Sequence, residues 1–359
     1  MARVSNFHQL SLALLSVTRR EKTMTDTVEV PIDELKRQVK KACHAVGYRA
    51  DDARVLAEIM TFAELHGNNQ GISKLYEPST GLGHNTQEGP LVIERESAHA
   101  AVVNGNKRAG MVAMCKAMEL AAAKAKAGGF ALTGTRNTYT STGMLAYYAT
   151  QLARRGLVCM IMAGSPEFVA PHGSTKGVFG TNPITFGIPS SNPDPLILDM
   201  ATAGMTLYGA VTAKATGRAL PPGVAIDKHG QPTTDATAAL SGGAFRTWAG
   251  YKSDGLALIV ELLASVLPGA AVVGRDFKRA AKNWGNVILA FDPGLLHDPA
   301  AFARKVAIVT GHVKSVGNVT LPGEIELRRR AANERKGTIT VAKALHSKIL
   351  ELGGARARL

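Results

Sequence analysis

Polar side chains collect in a few stretches of this 359-residue chain at spacings that suit ligand chemistry. The loop Gly177-Val-Phe-Gly180-Thr181-Asn182-Pro183 brings backbone N–H groups and two side-chain hydrogen-bonders to one spot. Asp199-Met200-Ala201-Thr202 adds one carboxylate and one hydroxyl at the end of an apolar run. Two further segments, Ala63-Glu64-Leu65-His66-Gly67-Asn68-Asn69-Gln70-Gly71-Ile72-Ser73-Lys74-Leu75 and Asn137-Thr138-Tyr139-Thr140-Ser141-Thr142-Gly143, are polar and marked by glycine, as segments lining a site often are. Polar groups at the ends of buried strands are where α/β proteins usually hold ligands. Gly and Pro clusters more often only turn the chain, so residue types alone make the first loop no more than a hint of a cofactor loop.

The elements that carry these segments can be read from periodicity. ITFGI and LILDM are short apolar runs bounded by turn residues, and they read as buried strands. Residues 33–46 place Leu35, Val39, Ala42, Cys43 and Val46 on one helical face, ended by Gly47. Asp51 or Asp52 is expected to cap a second helix with Val55, Ile59, Phe62 and Ala63 as its buried stripe. Residues 76–91 read as loop, 98–103 as a strand, and 111–126 as an Ala/Met-rich helix closed by Gly128-Gly129. A strand over 130–135, a helix over 144–155 and a buried strand over 157–162 follow. This strand, polar loop, helix, strand order predicts a mixed α/β fold with ligands at the loops. Further on, 256–267 reads as an apolar helix, 287–291 as a strand and 301–313 as an amphipathic helix. Leu321-Pro322-Gly323-Glu324 opens a charged helix, and 337–341 with 342–352 ends the fold.

Composition excludes several classes. Hydrophobic content of 45% and charged content of 19% are those of a globular protein with a sizeable core, in one large or two ordinary domains. The excess of 42 Lys and Arg over 28 Asp and Glu gives +14. Without aromatic-basic interleaving, a helix-turn-helix or a zinc pattern, that balance reads as a solvated basic surface rather than a nucleic-acid interface. Such a surface suits capture of an anionic dinucleotide and a carboxylate. Cys43, Cys115 and Cys159 lie far apart and read as reduced, buried thiols of a cytoplasmic protein. No apolar run approaches the roughly 20 residues of a membrane helix. Leu10–Val17 is a weak signal-peptide candidate without a cleavage site, and Met24 begins a more ordinary sequence. Residues 1–26 therefore read as a disordered leader or a start assigned too early. There is no GxGxxG after a strand, no GxxxxGK[ST], no GxSxG, no HExxH or paired-His metal spacing, and no internal repeat.

The stretch APHGSTKGVFGTNPITFGIP, followed by LILDMAT, resembles the signature of the malate/L-lactate dehydrogenase family of the second type. Its members are NAD(P)-dependent oxidoreductases without a Rossmann domain. The likeness runs from about Val28 to Val341 and takes in GLALIVELL after Gly250-Tyr251-Lys252, DPGLLHDPAAF, and Leu321–Glu324. It implies one catalytic unit over residues 27–359, with a helical, dimerising part (27–95 and 300–359) and a cofactor-binding part (96–299). It also implies a homodimer, NAD or NADP as cofactor, a small carboxylate as substrate, and no metal. Hydride moves between the nicotinamide and a 2-oxo acid, or a cyclic imine carrying a carboxylate. On the cofactor side the resemblance places His172, Thr181, Asn182, Asp199, Met200, Ala201, Thr202, Lys252, Pro322, Gly323 and Glu324.

The substrate side departs from the pattern. Such chemistry needs a proton donor, a cation for the carboxylate and a pocket that excludes water. Relatives usually put one His in a serine-histidine-glycine segment followed by an Arg, and a second in the loop before the first site helix. Here those positions read Asn69-Gln70-Gly71 with Lys74, and Thr140-Ser141-Thr142, so both histidines are missing and the Arg is Lys. Gln70, Lys74, Thr140 and Ser141 are expected to line the substrate side, Lys74 holding the carboxylate and Ser141 bonding the carbonyl or imine. Replacement acids are Lys74 with a lowered pKa, or Tyr139, His172 or His66 as relays. Ser253, where a glycine usually follows the Lys, would crowd the cofactor. A cyclic imino acid reductase is the nearest alternative, since an iminium arrives protonated. A non-catalytic dinucleotide-binding relative is the other.

Overall fold

The computed structural model describes residues 26–76, 82, 89–215, 217–274 and 284–354; the expected leader and most of the loop expected over 76–91 lie outside them. Twelve strands are labelled in chain order: β1 Thr27–Pro31, β2 Val92–Glu96, β3 Ala100–Asn104, β4 Phe130–Thr138, β5 Val158–Ala163 and β6 Val169–Ala170, then β7 Ile184–Ile188, β8 Leu196–Met200, β9 Ala225–Ile226, β10 Ala244–Arg246, β11 Trp284–Phe291 and β12 Thr338–Ala342. The longer helices are α1 Ile32–Ala45, α2 Ala50–Leu65, α3 Gly110–Gly128, α4 Ala146–Arg154, α5 Leu207–Ala215, α6 Tyr251–Glu261, α7 Pro299–Ser315, α8 Glu324–Lys336 and α9 Lys343–Gly354.

A seven-stranded sheet in the order β2-β3-β4-β11-β5-β7-β8 organises the molecule. Only β3 and β4 run parallel; the other neighbours are antiparallel. Its β5 strand, VCMIMA, is buried along nearly its whole length because both faces are covered. On one face α3 and α4 join α1 and α2 in the main core, with Leu35, Leu56, Met114, Tyr148, Ile161 and Ile288 among its buried members. On the other, Val260 and Ala264, from α6 and the π-helical turn that continues it (Leu262–Val266), pack on Met162, Ile184 and Val287. A three-stranded sheet, β6-β10-β9, has its own cluster around Val169, Phe179 and Phe245. β1 and β12 pair antiparallel from Thr27↔Ala342 to Pro31↔Thr338, so the two ends of the described chain close on one another.

The expected elements are present with shifted edges. The loop reading ended at residue 91 and left β2 unassigned: VIERE carries three charges, and it forms the edge of the large sheet with four of its five residues exposed. Other readings need correction or refinement. α2 starts at Ala50 after Arg49, so neither Asp51 nor Asp52 is its cap; both lie in its first turn. Cys115 is half-buried, unlike the buried Cys43 and Cys159, and all three are free thiols. The amphipathic helix α7 buries only Thr310 and turns Ile308 (69% exposed) and Val309 (61%) outward. Among the described residues no helix is long and apolar enough to cross a membrane.

Candidate functional site

The cofactor-side loop is held from behind. Asn182 is fully buried at φ 38°, and its Nδ2 donates to Ala257 O at 2.9 Å and to Glu261 Oε2 at 3.2 Å. Its side chain therefore faces into the protein, and its Oδ1 is buried without a partner. Glu261 is 2% exposed, and burial raises its carboxyl pKa. Thr202, also fully buried, closes the loop from the strand end by donating N–H and hydroxyl to Thr181 O at 2.9 and 3.0 Å. Thr181 meets Ser165 hydroxyl to hydroxyl at 3.3 Å. Asn182 and Thr202 thus shape the loop through their side chains, while Met200, Ala201 and Thr181 keep part of their surface at its edge.

His172, Thr247 and Asp254 form a second polar group beside it. Ala203 bridges to Thr247 and Trp248 N donates to Thr202 O at 3.3 Å, bringing this group to the end of β8. Asp254 accepts the His172 N–H at 2.9 Å and the Thr247 hydroxyl at 2.6 Å, and lies 3.2 Å from His172 Nδ1. Burial alone would push the Asp254 carboxyl up, but these donors hold it below the usual carboxylate range. Lys252 is exposed on the first turn of α6, whose N-terminus has no side-chain cap. A cation beside uncapped helix N–H groups suits anionic phosphates. Ser253 is buried, its Oγ accepting Ala249 N–H and donating to Gly250 O, so it holds the turn instead of facing outward.

A cavity of about 90 Å³ lies where β8, α2, α4 and α8 meet, lined by His66, Asn68, Asp199, Gly323 and Glu326 among others. Asp199 accepts the Thr185 hydroxyl at 2.6 Å and the Ala146 N–H at 2.9 Å, the first backbone donor of α4. Its carboxylate therefore caps that helix, while burial raises its pKa. Gly323 sits at φ 76°, and a Cβ there would lie 2.7 Å from Ile197 O, so glycine lets the start of α8 approach β8. Pro322 is exposed. Glu324 is held by Lys314, Arg328 and the Leu321 N–H, which bring its carboxyl down to about 2. His66 is 5% exposed, stacked 3.9 Å from the Phe62 ring, with Nδ1 2.7 Å from Phe62 O; burial lowers its pKa.

The substrate-side segment leaves the end of α2. Lys74 is 2% exposed, its Nζ donating to Gln70 Oε1 at 2.7 Å, and burial brings its pKa down to about 7. Half-buried Gln70 reaches Asn69 Oδ1 at 3.1 Å, and Asn69 donates to Thr206 Oγ1 at 3.2 Å, just before α5. That contact ties this segment to the chain leaving β8. Thr140 is buried, and its hydroxyl lies 3.4 Å from Gly110 N, while half-buried Ser141 accepts the Gly143 N–H at 3.1 Å. Burial raises the pKa of Tyr139.

Three acids were given no role in the sequence reading. Glu64 accepts Ile72 N–H at 2.8 Å and so holds the Gln70–Lys74 segment; burial raises its carboxyl to about 7. Asp254 and Glu261 are the others, and Asp52, expected only as a cap, pairs with Arg108 instead. The signal for Glu261 was present: a carboxylate inside the apolar run GLALIVELL needs a buried partner. Among the described residues no group of three His, Cys, Asp or Glu is gathered for a metal.

The malate/L-lactate dehydrogenase family profile matches residues 30–350. An L-sulfolactate dehydrogenase from Methanothermobacter thermautotrophicus is 33% identical over 312 residues, covering 84% of this chain and 90% of that one. A Δ1-pyrroline-2-carboxylate/Δ1-piperideine-2-carboxylate reductase from Pseudomonas putida is 31% identical over 326 residues, covering 89% and 95%. The crystal structure of the Δ1-piperideine-2-carboxylate reductase from Pseudomonas syringae superposes with a TM-score of 0.80 at 29% identity, over 91% of this chain and 100% of that one. With the sheet, the cofactor-side loop and the whole-length match in agreement, this chain belongs to the malate/L-lactate dehydrogenase family of oxidoreductases.

Proposed function

We propose that the protein moves a hydride between NAD or NADP and a small carboxylate, with a 2-oxo/2-hydroxy acid pair of the malate or lactate type as substrate. The bound nicotinamide supplies the hydride; the chain supplies the positions and the proton. Lys252 and the uncapped start of α6 would receive the phosphates, and the Thr181 loop with the end of β8 would flank the dinucleotide. The observation that carries the substrate half is Lys74, a buried amine beside Gln70. An anionic substrate displacing the Gln70 amide would draw a full positive charge onto Lys74, because burial strengthens that attraction. Lys74 then holds the carboxylate, and Ser141 and Thr140 offer hydroxyls to the carbonyl. Burial holds the Lys74 pKa near 7 in the free protein, which makes it one replacement acid, although a bound carboxylate would raise that value. His172, backed by Asp254, is the second donor of that kind.

Reduction of a cyclic imine carboxylate is a second reading. An iminium needs no external proton, which fits hydroxyl and amide groups where histidines were expected, and two relatives above are reductases of this type by name. A protein that binds dinucleotide without catalysis is a weaker third, because the replacing groups still form a hydrogen-bonded set. Free thiols fit a cytoplasmic setting. The outward apolar side chains of α6 and its continuation (Tyr251, Leu258, Leu262, Val266) and of α7 (Ile308, Val309) fit burial against a second copy in a homodimer.

The test is absorbance of NADH and NADPH with pyruvate, oxaloacetate, sulfopyruvate, Δ1-pyrroline-2-carboxylate and Δ1-piperideine-2-carboxylate. Oxidation driven by an oxo acid supports the first reading, and by an imine alone the second. Dinucleotide binding without turnover on the panel favours the third; no binding sinks all three.

A further inference from the structure

A buried ion pair ties the start of α2 to the turn that pairs with the backbone entering Thr140-Ser141. Asp52 stands in the first turn of α2, the helix whose other end leads into Gln70 and Lys74. Its carboxylate is gripped by both arms of the Arg108 guanidinium, Nε at 3.1 Å from Oδ2 and Nη2 on Oδ1. The two side chains are 12% and 4% exposed for Arg and Asp. Arg108 O in turn accepts the Tyr139 N–H at 3.0 Å, at the entrance to Thr140-Ser141. The same two backbones are joined by Gly105 N to Arg136 O (2.8 Å) and Lys107 N to Asn137 O (2.9 Å). Two residues beyond Arg108, Gly110 lies so near Thr140 O that any Cβ there would collide with it.

Strain gathers along this track. Non-glycine residues with positive φ among the described residues are Asn106 (43°), Lys107 (57°), Asn137 (54°) and Asn182 (38°). Three of the four sit in the paired backbones that run into the Thr140 loop. Such conformations persist only where surrounding contacts over-determine them. The Asp52–Arg108 fork is a buried, two-armed ionic tie from the turn to α2, and such a fork fixes both distance and orientation.

We propose that Asp52 and Arg108 are positioning residues that clamp the Thr140–Ser141 loop to α2, and so set its distance from Gln70 and Lys74. Neither touches substrate or cofactor. This rests on the reading of Thr140 and Ser141 as substrate-side groups, and it adds the device that aligns them. Replacing the fork by a point charge, Arg108→Lys, keeps the ion pair but loses the two-armed geometry. The double variant Asp52→Leu with Arg108→Met fills the site with apolar groups and keeps the fold, since buried ion pairs are replaceable in that way.

The experiment combines amide hydrogen exchange over residues 136–143 with steady-state kinetics on the panel compound that responds, NADH and NADPH affinity, and thermal melting. In both variants exchange at Tyr139–Gly143 should rise about tenfold or more without a change elsewhere. The turnover number should fall about ten- to a hundredfold, as a misplacement near 1 Å would give, with dinucleotide affinity kept. Wild-type turnover in the folded double variant, or unchanged exchange over 139–143, overturns the proposal. Faster exchange across the whole protein does so too, because it assigns the pair to global stability. If wild-type protein turns over no panel compound, the functional reading fails separately, and exchange still decides whether the clamp exists.

Discussion

The two regions proposed as the cofactor side and the substrate side are built by opposite means. Around Thr181 and Asn182, polar groups are tied to one another and to buried partners: Asn182 to Glu261, Thr202 to Thr181, His172 and Thr247 to Asp254. Lys252, His172 and the loop edges face outward. On the proposed substrate side Lys74 is itself buried, with the Gln70 amide among its partners, while Glu64 holds the Ile72 N–H and Asp52 pairs with Arg108. The first side carries the stretch that resembles the family signature; the second is where the expected histidines are replaced. A dinucleotide presents the same surface to every enzyme that uses it, so its site tolerates little change. Substrates differ, and a site re-shaped for a new one must change its charges and donors while its scaffold holds.

Breaking that contrast starts with the largest effect, at Lys74. Lys74→Met should lower kcat/KM for the responding carboxylate about a hundredfold, as loss of one partner of a desolvated charge pair does. An unchanged Michaelis constant would remove Lys74 from the site. The sign with pH follows from its lowered pKa near 7. The free enzyme carries the cation below about pH 7 and loses it above, so kcat/KM for an anion should fall as pH rises through that point. For the same reason the unfolded chain binds more protons between about 7 and the ordinary Lys value, so Lys74 makes stability rise with pH across that window. Lys74→Met should flatten both trends, to be read from rate profiles and melts between pH 6 and pH 9.

Next is Asn182→Ala on the other side. It strips Glu261 of a donor in a dry setting and should cost about 2 kcal/mol in chemical denaturation, together with weaker dinucleotide binding. A loss of stability with unaltered affinity would separate the Glu261 tie from the cofactor loop. Ser141→Ala is expected to lower the turnover number about tenfold with little change in melting, as loss of one donor to a reacting carbonyl does. The smallest effect is at Asp199: Asp199→Asn keeps the shape but weakens the cap on Ala146 N–H, and should cost about 1 kcal/mol. A much larger loss of turnover there would mean that Asp199 acts on the ligand as well as on α4.

Much of the frame was legible. ITFGI and LILDM became β7 and β8 with their edges where the turn residues put them; β7 is the mostly buried strand expected, whereas β8 is the sheet's edge and buries only Ile197. β2 was hidden because an exposed edge strand needs no apolar face, and VIERE has almost none. α7 was legible as an amphipathic helix, but no periodicity says that its apolar face turns away from its own chain. In the site, residue types pointed to Lys74 and to the Thr181 loop, while the burial of Lys74 and the inward turn of Asn182 depend on elements far away in sequence. The partners of Glu64, Asp52 and Arg108 were not legible for the same reason. Their importance comes from contacts across the fold, and charged residues on a helix ordinarily face water.

The most direct measurement of the division between the two sides is a nicotinamide-fluorescence titration with NADH and NADPH of wild type, Lys74→Met and Asn182→Ala, followed by turnover on the responding panel compound. We expect wild type and Lys74→Met to bind the dinucleotide equally, Asn182→Ala to bind it more weakly, and Lys74→Met alone to bind without turning over. Loss of dinucleotide binding in Lys74→Met, or its absence in wild type, would contradict the account.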